Sequence, residues 1–223
     1  MAAAPKVTTA IELPRLAIET IEIPIVGDSP LIVHKFSEKA KKQMLDKQMK
    51  KASVGKEAKD PWRDFVESMY WLDGMPDKPT EEDVTNGRFG FPAVGFKAAA
   101  VTACTSIGSI TKVAARQAFH VEGEFARIEG CEPTMREDMV RVGMGTADIR
   151  YRGEFKTWHA TITVKHNRNV FSAEQVLNLF QTAGFAVGVG EWRPEKDGQY
   201  GRFHVASAEE MKALGLIEDK AAA

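Results

Sequence analysis

Apolar and polar residues alternate in two segments of the chain, which predicts two β-strands with one buried face each. Isoleucines recur at every second position from Ile21 to Ile25, and apolar residues do the same from Trp158 to Val164. Successive side chains of a strand point to opposite faces. The second segment should therefore have one face in the core and one face in water. Shorter extended pieces are predicted at residues 31–33, 118–130 and 202–205.

Apolar residues three and four positions apart predict helices, and most of these helices begin at a capping residue. The predicted helices cover 38 to about 52, 61 to about 70, 93 to about 105, 173–183 and a short segment after Ser207. Ser172 and Gln175 form a capping box, and Gly184 is expected to end that helix as its C-terminal cap. Residues 73–87, which are rich in proline and glycine, are predicted to form a loop.

Without its insertions, the chain has the order strand, helix, strand, strand, helix, strand. This order predicts an α+β fold of the ferredoxin-like or RRM-like type, an antiparallel sheet with helices on one face. We expect a flexible N-terminal arm at 1–16, one domain at 17–205, and a C-terminal helix and tail at 206–223. Within the domain, residues 35–87 are a helical insertion and residues 133–153 a protruding hairpin.

The composition fits one domain of 223 residues that is 43% hydrophobic. A net charge of -1 means that nucleic-acid binding would have to come from local clusters of cations. The lysines between residues 35 and 59 are interpreted as a solvated helix face. Two cysteines without a CxxC pair argue against a disulfide framework or structural zinc site. With no apolar run of membrane-spanning length, we expect a cytoplasmic protein with no membrane partner.

The segment from 184 to 205 combines five glycines with aromatic and basic residues. Glycines permit close backbone approach, aromatic rings stack on bases and cations bind phosphate. The candidate nucleic-acid-binding residues are those of this loop, of the predicted hairpin and of one helix start: Gly188, Gly190, Trp192, Arg193, Tyr200, Arg202, Arg136, Arg141, Arg150, Arg152 and Lys97. Two alternatives stay open: the hairpin arginines pair with nearby carboxylates, and Trp192 packs under the loop.

The sequence carries no evident nucleophile, metal cluster or nucleotide-binding motif. Neither of the two GxG pairs extends to a GxGxxG or Walker pattern. His159 and His166 face opposite sides of their strand and cannot share a metal, and both are expected at the surface or a sheet edge. We therefore predict no catalytic residue, no metal and no cofactor.

Two segments resemble a known family. Phe91 to Ala103, FPAVGFKAAAVTA, is similar to the strand-to-helix entry of the RAMP superfamily (repeat-associated mysterious proteins), and residues 183–205 resemble its glycine-rich loop. The resemblance implies a binder of single-stranded nucleic acid that assembles side by side along its ligand, as the backbone subunit of CRISPR effector complexes does. It also implies homo-oligomers and other effector-complex subunits as partners. A phage or mobile-element relative on the same fold is equally compatible.

The leading hypothesis is thus a non-enzymatic protein that binds single-stranded RNA or DNA. One alternative is a self-assembling structural protein, for example from a virus, that binds no nucleic acid. The other alternative is a RAMP-type endoribonuclease, for which Asp28 is the one candidate residue, although a turn position explains this aspartate better.

Overall fold

The computed structural model describes residues 15–50, 58–142 and 145–217. The strands are β1 Ile18–Gly27, β2 Leu31–Val33, β3 Tyr70–Trp71, β4 Phe89–Pro92, β5 Phe119–Val121, β6 Phe125–Gly130, β7 Thr134–Val142, β8 Thr146–Phe155, β9 Trp158–Asn167 and β10 Phe203–Val205. The α-helices are α1 Glu38–Gln48, α2 Pro61–Glu67, α3 Glu81–Asn86, α4 Ala93–Ile107, α5 Lys112–Ala118, α6 Ala173–Ala186 and α7 Ala208–Ala213. Most of the predicted N-terminal arm and the end of the tail lie outside the described residues.

Four strands of the larger sheet have the order of a ferredoxin-like domain. β10, β1 and β9 lie side by side, β5 pairs with the far edge of β9, and every neighbouring pair is antiparallel. Helix α4 lies between β1 and β5 in the chain, and α6 lies between β9 and β10. The predicted α+β ferredoxin-like class is therefore confirmed.

The sheet is wider than the predicted platform because the strand predicted at 118–130 divides. Gly123 has a φ of 83°, and the chain after it turns away as β6 to pair with β4. β4 in turn pairs with β3, which gives the order β10-β1-β9-β6-β4-β3. The glycine kink thus starts a branch of the sheet.

The predicted hairpin is present as β7 and β8, which pair from Thr134 and Glu154 to Val142 and Thr146. β2 pairs with the other edge of β8 and completes a separate three-stranded sheet. Since β2 follows β1 after a short turn, this second sheet is held against the first one.

The core lies between the larger sheet and helices α4 and α6, which contact each other. Phe96 of α4 meets Phe203 of β10 with ring centroids 5.8 Å apart, and Phe180 of α6 meets Phe119 at 6.0 Å. All four rings are fully buried, and each stabilises the fold by about 1.5–3 kcal/mol. None of the described helices is long and apolar enough to span a membrane.

The insertion departs from prediction in two places. α2 begins at Pro61 with Asp60 as its cap, as expected, but it ends at Glu67 because the hydroxyl of Ser68 donates to the carbonyl of Phe65 and accepts the amide of Gly153. Residues 70 and 71 are therefore a strand. The predicted loop at 73–87 contains α3, which has a capping box of Thr80 and Asp83.

Two further expectations are wrong. Gly184 does not end α6, which continues to Ala186; it lies inside the helix, where a Cβ would collide with the carbonyl of Phe203. His166 is not at the surface but 1% exposed, and neither ring nitrogen has a hydrogen-bond partner among the described residues. Its position continues the even-numbered alternation of β9, which faces the core.

Candidate nucleic-acid interface

The glycine-rich loop between α6 and β10 is hydrogen-bonded to β2 and to the short connection between β1 and β2. The amide of Glu191 donates to the carbonyl of Ile32 over 2.9 Å, and the amide of Gly201 donates to the carbonyl of Pro30 over 2.8 Å. Ser29 accepts the amide of Arg202 at its hydroxyl over 3.0 Å. The loop therefore has one defined conformation beside the hairpin sheet.

The glycines of this loop approach the chain's own backbone. Gly190 and Gly201 have φ values of 78° and 64°, which lie in the left-handed region. A Cβ at Gly190 would collide with the carbonyl of Ile32, and one at Gly201 with the carbonyl of Val189. Gly188 has the same conformation (φ 69°) and is buried. These contacts explain the glycines without a ligand, so their contact with nucleic acid stays a prediction.

Trp192 is the most unusual residue of the loop. It has a φ of 54°, which is rare for a bulky residue, and 40% of it is exposed. Tyr200 donates its amide to the Trp192 carbonyl over 3.0 Å, and Gly198 packs directly on that peptide. Strained conformations of this kind persist where the surroundings enforce them and cluster at functional sites.

A cavity of about 630 Å³, here called the hairpin cavity, lies between the hairpin and the loop. Five cationic side chains and a single carboxylate, that of Glu191, line it. The cations are four of the predicted residues, Arg141, Arg150, Arg152 and Arg193, together with Lys196. Trp192 is also part of the wall. The fold thus brings the predicted loop and hairpin residues to one place.

Two of the hairpin arginines are held firmly by carboxylates. Arg152 is 3% exposed and contacts Asp138 at 3.2 Å and Glu191 at 3.4 Å. Arg136 contacts Asp138 and Glu154, each at 2.9 Å. Arg136 and Arg152 are thus paired with carboxylates, as the alternative interpretation of the sequence proposed, and their contact with nucleic acid stays a prediction.

Arg150 and Arg193 are also engaged, though at more exposed positions. Arg150 lies 3.5 Å from Asp148, and its guanidinium is 3.2 Å from Nε2 of His34. Arg193 contacts Glu195 at 2.8 Å and donates to the carbonyl of Gly190 over 3.0 Å. Both line the hairpin cavity, so an anion there would compete with the carboxylates already in place.

Arg141 and Lys196 are exposed, and no carboxylate of the described residues lies within ion-pair distance of either. Arg202 is half-buried, and its Nε donates to the carbonyl of Gln199 over 3.2 Å. These three cations are therefore the ones best able to bind phosphate. Lys196 was missed because the sequence places it in an ordinary polar turn; its distance from the hairpin arginines becomes visible only in the fold.

A second cavity of about 390 Å³, the tyrosine cavity, also has Trp192 in its wall. It is lined by Ser29, Tyr200 and Arg202 in addition to Trp192. Arg136 covers one face of the Tyr200 ring, with its guanidinium carbon 4.7 Å from the centroid, and donates to the Tyr200 hydroxyl over 3.3 Å. Burial opposes the charge of Arg136, but its hydrogen bonds with Asp138 and Tyr200 outweigh burial and raise its pKa.

Lys97 lies apart from this group. Its Nζ is 3.1 Å from Nδ1 of His120 and 5.9 Å from the centre of the Phe119 ring. Burial lowers the pKa of Lys97. Its environment belongs to the α4 and β5 side of the core, and Lys97 lines neither the hairpin cavity nor the tyrosine cavity.

Asp28, the candidate considered for RNA cleavage, is within hydrogen-bond distance of His204. Its carboxylate is 2.7 Å from Nδ1 of His204, and Glu210 is 2.9 Å from Nε2. Burial opposes protonation of the ring, but the two carboxylates outweigh it and raise the pKa of His204. This cluster joins the end of β1 to β10 and α7. Within the described residues, no group of three or more His, Cys, Asp or Glu side chains is arranged to hold a metal ion.

No protein-family model and no curated protein matches this chain. Solved structures that match include Cmr6 from Pyrococcus furiosus, which is 10% identical. That match covers 86% of this chain and 100% of the other, with a TM-score of 0.43. The fold class stated above rests on the strand order seen here, and the resemblance to the RAMP superfamily stays a prediction.

Proposed function

We propose that this chain binds single-stranded nucleic acid across Trp192, with phosphates on both sides of the indole ring. The observation that carries this proposal is the position of Trp192, which is exposed, strained and shared by the hairpin cavity and the tyrosine cavity. An aromatic face on which a base stacks, next to cations that follow the backbone, is the usual construction of such sites.

The cations without carboxylate partners supply the phosphate contacts of this proposal. Arg141 and Lys196 line the hairpin cavity and Arg202 lines the tyrosine cavity, and Trp192 lines both cavities. A single strand loses affinity with a slope of about −0.7 in log K against log salt for each phosphate contacted. Three contacts therefore predict a slope of about −2. Replacing all three residues by glutamine should flatten this slope and weaken binding to any sequence.

The test is fluorescence anisotropy with labelled single-stranded RNA and DNA oligonucleotides of the same sequence at low salt. Stacking of one base is worth about 1–3 kcal/mol, so Trp192→Ala should weaken binding about 5- to 150-fold. Phe185→Ala is the matched control, because Phe185 is 74% exposed on α6 and lines neither cavity. Equal affinities of Trp192→Ala and wild type would remove Trp192 from the site, and absence of binding to both oligonucleotides would refute the function.

Binding without cleavage is part of the same proposal. The carboxylate of Asp28 is engaged with His204, which supports a structural role for it. A 5′-labelled RNA should stay intact during incubation with the protein, with or without magnesium. Cleavage that is lost in Asp28→Asn would favour the endoribonuclease instead.

Assembly along the ligand completes the proposal. Electron micrographs of the protein with and without a long single-stranded oligonucleotide distinguish the possibilities. Filaments that form only with the oligonucleotide support assembly on nucleic acid. Oligomers that persist in material free of nucleic acid, and that bind neither oligonucleotide, support the self-assembling structural protein.

A further inference from the structure

A third cavity borders the proposed binding surface and lies between α4 and the glycine-rich loop. It has a volume of about 330 Å³ and is here called the helix cavity. Glu191 and Arg193 line both the helix cavity and the hairpin cavity. The two spaces are therefore neighbours that share these two residues as wall.

The helix cavity is lined by apolar rings on the sheet side and by small residues on the helix side. Tyr70 and Phe91 supply aromatic rings, packed edge to face with centroids 6.3 Å apart. From α4 the cavity receives Gly95, Ala98 and Thr102. A volume near the lower end of the range for small-molecule sites suits one planar ring system better than a larger cofactor.

Polar groups border this space without filling it. The hydroxyl groups of Tyr70 and Thr102 have no hydrogen-bond partner among the described residues. Burial, reinforced by the charge of Glu191, raises the pKa of Tyr70, so its hydroxyl stays protonated and can donate. Burial and the charge of Arg152 lower the pKa of His34, which also lines the cavity. An apolar wall with polar groups at its border matches a ring that carries its polar atoms on its edge.

We propose that the helix cavity receives one unstacked nucleobase of the strand bound across Trp192. This inference rests on the proposed function, because the phosphate of the same nucleotide would lie in the adjoining hairpin cavity. A base turned out of a single strand costs little unstacking energy compared with one taken from a duplex. Aromatic walls and edge polar groups are the features by which proteins recognise such splayed bases.

The experiment fills the helix cavity with a larger side chain and compares the binding of two single-stranded probes, one with bases and one without. Ala98→Phe places a ring in the helix cavity from an exposed position of α4. Val94→Phe is the matched control, since Val94 is 69% exposed on the same helix and does not line the cavity. The probes are a 12-nucleotide single-stranded DNA and a strand of the same length in which every nucleotide is abasic. Anisotropy titrations give the affinity of each protein for each probe.

Ala98→Phe should weaken binding of the base-bearing strand about 5- to 150-fold, the range for one stacked base, and leave the abasic strand unchanged. Val94→Phe should change neither affinity. Unchanged binding of the base-bearing strand, or equal weakening of both strands, would overturn the base pocket and leave the proposed function in place. A wild-type protein that binds neither probe, and does not bind an RNA strand of the same sequence, would overturn both. Ala98→Met provides a smaller filling side chain if the phenylalanine variant does not fold.

Discussion

Arg152 and Arg141 belong to the same hairpin, but the structure predicts opposite consequences for their replacement. Arg152 is 3% exposed and is held by Asp138, whose side chain is 8% exposed, and by the more exposed Glu191. Arg141 is exposed and has no carboxylate partner among the described residues. Arg152→Met should therefore act on stability and Arg141→Met on nucleic-acid affinity.

The size of the stability effect follows from the contacts. Removing one partner of a buried ion pair costs about 3–5 kcal/mol when the remaining charge is left alone. Asp138 would keep Arg136, whose Nε is 2.9 Å away, so we expect a loss just below this range, about 2–3 kcal/mol. For a chain of this size, that corresponds to a fall in melting temperature of about 4–12 °C.

Thermal unfolding followed by circular dichroism measures this effect, and the matched control is Arg141→Met. The free energy of unfolding of the control should lie within about 0.5 kcal/mol of wild type, as is usual for exposed substitutions. In the double variant Arg152→Met, Asp138→Asn, the loss should be smaller than the sum of the two single losses. A melting temperature of Arg152→Met within about 1 °C of wild type would refute the structural role of this arginine.

Three further changes have expected outcomes. Gly201→Ala combines a left-handed φ of 64° with a collision at the Val189 carbonyl, so it should destabilise the protein by more than the roughly 1–3 kcal/mol of backbone strain alone, measured by urea unfolding. Ser172→Ala removes the capping box of α6 and should cost about 1 kcal/mol in the same assay. His204→Gln should lower the melting temperature most between pH 4.5 and 6.5, the ordinary pKa values of Glu210 and His204. The raised pKa of His204 gives stability that is present below pH 6.5 and lost as the pH rises through its native value. Hydrogen bonds from Ser207, and then from His204, lower the pKa of Glu210 to about 2. This lowered pKa contributes stability that is present above pH 4.5 and is lost as the pH falls toward 2.

Each of these changes has a control within the same chain. Gly74 has a φ of 84° and would have no atom within 4 Å of an added Cβ, so Gly74→Ala measures the backbone cost without the collision. Ser172→Thr keeps a capping hydroxyl and should be nearly neutral. His120→Gln is the control for His204→Gln, since His120 faces Lys97 rather than a carboxylate. Equal losses at Gly74 and Gly201, or a pH-independent effect at His204, would contradict the reasoning.

The fold could be predicted from the sequence where a single periodicity decided the structure. β9 alternates without interruption, so its buried face from Trp158 to Val164 was predicted correctly. The same alternation also put His166 in the core, although histidine is only intermediate in its tendency to be buried. α3 was missed because it is a short, acidic helix of six residues and because the prolines before it indicated a loop.

The candidate site could be predicted only in part, because charge pairing depends on tertiary register. Arg136 stands opposite Arg152 across the hairpin, and Asp138 stands opposite Arg150. This register decides which arginines are neutralised, and the loop then adds Glu191 from a distant part of the chain. The sequence indicated that arginines and aromatic residues form the candidate surface. Which cations lack a carboxylate partner, and that Lys196 is one of them, became apparent only from the neighbours of each side chain in the fold.

The connection between β1 and β2 constrains how the length of this chain can vary. Within residues 28–32, backbone or side-chain atoms bond to Arg202, Trp158, Gly201 and Glu191. A deletion or insertion of one residue here would move these partners out of alignment together and would separate the loop from the hairpin sheet. The turn after β1 must therefore keep its number of residues.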